Sequence, residues 1–86
     1  MTPAQANALK SALRKTFPGR VEAERLNGRG RYRFAIVSTQ FAKMSHLRRQ
    51  DVIWKVVDSI LPRQATVDIS LILAFAPHEL QAKQKN

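Results

Sequence analysis

Between Arg31 and Leu61 the chain changes hydrophobic period without an insertion, and this constrains the fold more than any other feature. In RYRFAIVS, Tyr32, Phe34, Ile36 and Ser38 share one face and Arg33, Ala35 and Val37 the other, the two-residue repeat of a half-buried strand. Further on, Leu47, Asp51, Trp54, Val57 and Leu61 follow a three-to-four spacing, with Ile53, Val56 and Ile60 widening the stripe. A strand therefore feeds a basic segment and then an amphipathic helix. That is a frame for binding, and no catalytic motif interrupts it.

Around this junction the elements follow in order. Thr2 as N-cap and Pro3 at the first helical position predict a helix over Ala4 to Phe17, with Leu9, Leu13 and Phe17 as its apolar stripe. Pro18-Gly19 ends it. Arg20 to Leu26 reads as a charged edge strand, and Asn27-Gly28 as a tight hairpin turn into Tyr32 to Ser38. Ser45 caps the second helix, which stops at Leu61 before Pro62. A third strand is expected from Thr66 to Phe75, with Val67, Ile69, Leu71, Leu73 and Phe75 on the face against the helices. Pro77 to Leu80 begins a short last helix, and residues 81–86 read as a polar flexible tail. The expectation is one α+β domain over residues 1–80, ordered helix-strand-strand-helix-strand-helix, with helices on one face of a three-stranded sheet.

A chain of 86 residues holds one small core, and a 44% hydrophobic fraction is ordinary for a folded domain. The longest apolar run, Ile69 to Ala76, falls well short of the ~18 residues of a membrane span. The first residues lack the apolar centre of a signal peptide, so a cytoplasmic protein without membrane contact is expected. The absence of cysteine removes disulfides, thiolate metal sites and thiol catalysis. His46 and His78 have no Asp or Glu at ligand spacing, and a surface side chain is the commoner reading of each. His46, near a helix start, is also placed to contact a phosphate or a partner.

Charge is distributed unevenly. Residues 1–50 carry eleven Lys or Arg against only Glu22 and Glu24, so this half holds the whole net charge of +9. Arg25, Arg29, Arg31 and Arg33 bracket the hairpin turn, while Lys43, Arg48 and Arg49 bracket the second helix start. Such clusters attract the phosphate backbone of nucleic acid. They equally suit a solvated surface or an acidic protein partner. Arg29 to Phe34 faintly resembles an RNA-recognition strand, although Phe34 is expected in the core. Trp54 reads as a helix–sheet anchor, and Asp51 and Asp58, seven residues apart, as solvent-facing charges. Catalytic carboxylates need burial or close mutual approach, and this spacing suggests neither.

These residues also carry a family resemblance. Phe34 to Val37 followed by Ser38, then Phe41, Met44, Leu47, Arg49, Ile53 and Trp54, resembles the signature of the BolA family, and Leu73 to Pro77 with Glu79 is similar to its closing apolar strand and acidic element. The likeness runs from about Leu9 to Leu80. It implies a class II KH-like fold, nucleic-acid binding with transcriptional regulation, and a role beside monothiol glutaredoxins with which such proteins share a two-iron, two-sulfur cluster. This chain departs from the pattern where the cluster would be held. The family's histidine in the last strand corresponds to Asp68, and its second ligand has no counterpart in LNGRGRYRF. An aspartate is a hard ligand poorly matched to such iron. Lys43 stands where the family has glycine, and Arg48-Arg49-Gln50 where it has an Arg-His pair, both keeping or adding positive charge. A Gly-x-x-Gly loop is absent, and Gly28-Arg29-Gly30 belongs to the turn.

The sequence therefore points to a non-enzymatic module that binds DNA or RNA through Arg29, Arg31, Arg33, Lys43, Arg48 and Arg49, with no metal and no cofactor of its own. The alternative is an adaptor that docks a monothiol glutaredoxin or another acidic partner. Oligomeric state is left open.

Overall fold

Helix α1, Pro3–Thr16, opens with a reciprocal cap: the Thr2 hydroxyl accepts the Gln5 N–H at 3.1 Å, and the Gln5 side chain accepts the Thr2 N–H at 2.9 Å. The computed structural model describes residues 1–26 and 30–84. Strand β1, Gly19–Leu26, pairs antiparallel with β2, Arg31–Ser38, in unbroken register from Gly19 opposite Ser38 to Leu26 opposite Arg31. The Asn27-Gly28 turn and Arg29 lie outside the described residues. Gly30, just after them, has φ +70°, the left-handed conformation that glycine adopts without strain.

A 3₁₀ turn, Thr39–Lys43, leads to α2, His46–Ile60. One further helical turn, α3 (Arg63–Thr66), precedes β3 (Ile69–Phe75) and the final helix α4 (Pro77–Gln84). The sheet order is β1-β2-β3, with β3 parallel to β2, so both β1 and β3 are edges. This is the expected α+β arrangement with two added helical turns. Leu9 and Leu13 of α1, Ile53 and Val57 of α2, and Phe34 and Ile36 of β2 are all fully buried in the core between the helices and the sheet.

Three expectations need correction. The third strand starts at Ile69 rather than Thr66, because residues 63–66 coil as α3. Its inward face is also different: Ile72, Ala74 and Ala76 are buried, whereas Leu71 is 47% exposed and Leu73 and Phe75 are half-buried. The cause is a register shift, since Tyr32 aligns with Ile69 and Arg33 with Leu71, leaving Ser70 as an extra residue. One such residue turns every later side chain to the opposite face. Finally, α4 continues to Gln84, past the expected boundary at Leu80.

Helix α2 also sits rotated from the expected stripe. Arg49, Ile53 and Val57 are its buried residues, continued by Leu61, while Leu47 is 83% exposed. Among the described residues no helix is long and apolar enough to cross a membrane.

Candidate nucleic-acid interface

The entrance to α2 is built by two serines. Ser38, buried at the end of β2, accepts the Gln40 N–H at 3.3 Å and starts the 3₁₀ turn, which sinks Phe41 into the core. Ser45 then accepts the Arg48 N–H at 3.1 Å, and its carbonyl accepts the Arg49 N–H at 3.0 Å. Helix geometry leaves the N–H groups of His46 and Leu47 without intrahelical partners. Lys43, His46 and Arg48, all exposed, stand around them. Arg48 makes a loose ion pair with Asp51 at 3.6 Å, an exposed contact worth little.

Arg49 is not part of that exposed set. It is 3% exposed and its donors are engaged: Nε bonds the Met44 carbonyl at 3.1 Å, Nη1 the Ala74 carbonyl at 3.1 Å, and Nη1 and Nη2 fork onto Glu79 at 2.7 and 2.8 Å. The guanidinium also lies 5.8 Å from the Phe41 ring centre. Arg49 thus serves the fold, and the expectation that it meets phosphate is corrected. The hydrogen bond from Arg49 chiefly, then that from the Ala76 N–H, holds the Glu79 carboxyl down at about 2.

Next to Arg49, Gln50 reaches the same strand. Its amide donates to the Ile72 carbonyl at 2.9 Å and accepts from the Trp54 indole N–H at 3.2 Å, so Trp54 anchors the helix–sheet contact through Gln50. The carbonyls of Ile72 and Ala74 therefore point from the free edge of β3 toward α2. A groove of about 330 Å³ runs between the two elements, lined by His46, Arg49, Gln50 and the stretch Leu71 to Phe75.

Two other expected cations lie elsewhere. Arg31 and Arg33 project from the opposite, open face of the sheet, at the start of β2. Strand geometry separates Arg31 from Ser38, next to the α2 entrance, by about 23 Å. Arg33 is paired with Glu24 on β1. Of the six expected residues, Lys43 and Arg48 are exposed on either side of the first residue of α2, His46. Gln50 was not singled out in the sequence, although its four-residue spacing to Trp54 offered a signal.

No family model and no curated protein matches the chain in sequence. Solved structures do match in shape. A bol-like protein from Babesia bovis superposes with a TM-score of 0.68 at 20% identity, covering 92% of each chain. The BolA domain of SufE1 from Arabidopsis thaliana gives 0.69 at 20% identity over 92% of this chain and 99% of that one. The chain has the BolA-like fold. BolA1 from Arabidopsis thaliana agrees, at 0.66 and 17% identity over 87% and 94%.

The BolA-like scaffold raises the question of an iron-sulfur cluster, and the donors present do not fit one. Asp68, at the position where the resemblance implies a histidine, forms an ion pair with the Met1 ammonium, and its carbonyl accepts the Tyr32 N–H at 2.8 Å. Its hard carboxylate is thus engaged inside the protein. Among the described residues no three His, Cys, Asp or Glu side chains converge as a metal site.

Proposed function

We propose that this BolA-like chain is a non-enzymatic module that binds an unpaired stretch of DNA or RNA at the α2–β3 groove. The observation that supports this reading is the start of α2, where exposed Lys43, His46 and Arg48 accompany the unpartnered N–H groups and His46 also lines a groove floored by the edge of β3. Phosphates are held at the entrance, where cationic side chains and the helix N-terminus act together. Bases lie along β3, where the Ile72 and Ala74 N–H groups share the side of their carbonyls. Arg31 and Arg33, remote from the groove, contribute long-range attraction.

Fluorescence anisotropy with labelled single-stranded DNA and RNA tests this. Lys43→Glu with Arg48→Glu is expected to weaken binding at least tenfold and to lower the slope of log affinity against log salt by about 1.4, the share of two phosphate contacts on a single strand. Arg31→Glu with Arg33→Glu is expected to act more weakly. Unchanged binding by the first double variant would exclude the groove. Docking of a monothiol glutaredoxin in place of nucleic acid is the competing outcome, seen if that protein binds and no oligonucleotide does.

A further inference from the structure

The register shift in β3 leaves the open face of the sheet unusually apolar. Three aligned rows cross it: Arg20 with Val37 and Phe75, Glu22 with Ala35 and Leu73, and Glu24 with Arg33 and Leu71. The β3 end of each row is thus a large apolar side chain with solvent access, Leu71 at 47%. The small Ala35 makes the middle row low. Two shallow depressions, of about 170 and 210 Å³, meet there, and Leu80 of α4 borders the first. An apolar strip rimmed by charge marks a contact surface.

From this we infer that the open sheet face is the contact between two copies of the chain. A continuous run of positive charge for nucleic acid is missing from it, because Glu22 and Glu24 stand between Arg20 and the pair Arg31 and Arg33, and Glu24 already pairs with Arg33. A second copy does suit it, because the charges along β1 are self-complementary. Arg20 lies toward one end and Glu22 and Glu24 toward the other. A two-fold axis running across the strands reverses that order, bringing Arg20 of each copy to the glutamates of its mate. The same rotation lays Phe75, Leu73 and Leu71 against themselves in reverse, as a two-fold interface requires. Three strands at about 4.8 Å and seven residues at about 3.3 Å give a face smaller than the ~800 Å² per partner of a standard stable interface. Association is therefore weak and concentration-dependent, and it leaves the α2–β3 groove free.

Sedimentation velocity over a micromolar to millimolar series tests the pairing. The unaltered chain is expected to dimerise reversibly, and Leu73→Arg to weaken this at least tenfold with unchanged circular dichroism. Two further variants make the test independent of folding losses. A chain carrying Arg20→Glu has only acidic charge on β1's open face, and one carrying Glu22→Arg and Glu24→Arg only basic charge, so each alone is monomeric. Mixed, they form a one-to-one heterodimer tighter than the original dimer. A chain that stays monomeric throughout, a mixture that does not associate, or a dimer indifferent to Leu73→Arg would each overturn the inference.

Discussion

Arg49 of α2 grips both carboxylate oxygens of Glu79 in α4 while also bonding the carbonyls of Met44 and Ala74. One buried cation thereby ties together the loop before α2, the edge of β3 and the start of α4. Glu79 completes the joint by accepting the Ala76 N–H at 2.8 Å. Replacing Arg49 with Met keeps the length of the side chain and orphans two backbone carbonyls. At roughly 1 kcal/mol for each lost partner, the variant is expected to lose ~2 kcal/mol or more in urea unfolding.

The same pair sets a pH dependence. The Glu79 carboxyl is depressed from its usual 4.5 to about 2, so its stabilising contribution is present in full above 4.5. It declines as the pH falls from there and is gone once the pH passes below about 2. Denaturation of the unaltered chain and of Glu79→Gln is therefore expected to differ most near neutral pH, with the two converging in acid. A constant difference across that range would show that the pair does not titrate as described.

Phe41 is fully buried, with its ring centre 5.0 Å from that of Phe17 and the Arg49 guanidinium over its face. Truncation to Ala leaves a cavity where the 3₁₀ turn meets the core. A loss of about 3–5 kcal/mol is expected in thermal or urea unfolding. Because this turn positions Lys43, affinity for oligonucleotide is expected to fall as well.

Gly19 has φ +144°, and a Cβ there would come within 2.1 Å of the Val37 carbonyl oxygen. Gly19→Ala is expected to cost more than ~2 kcal/mol, since strained backbone and a backbone clash coincide. Gly30→Ala is milder, because the nearest atom, the Met1 carbonyl oxygen, is 3.0 Å away. Paired unfolding curves should rank the two variants in that order.

Much of this arrangement was legible in the residues. The alternation of Tyr32, Phe34, Ile36 and Ser38 placed β2 correctly, and Thr2, Ser45 and Pro62 marked helix ends where they occur. The β3 face was misread because Val67 to Phe75 alternates without a visible flaw, and a register shift at Ser70 is decided by pairing with β2 rather than by local pattern. Arg49 was misread for a related reason. It stands at four-residue steps before Ile53, Val57 and Leu61, the buried line of α2, but its charge suggested the surface. Only the position of Glu79, 30 residues later, shows what neutralises it. Arg31 and Arg33 part from Lys43 and Arg48 because most of a strand's length lies between them, a fact carried by topology.

The proposed seat of nucleic acid is the groove between α2 and β3. Backbone amide NMR shifts during titration with a short single strand test it most directly. The largest changes are expected at Lys43 to Gln50 and at Ile72 to Phe75, with the open-face residues Glu22 and Ala35 unmoved. An absence of shifts at saturating oligonucleotide, or shifts confined to the strands' open face around Arg31 and Arg33, would contradict it.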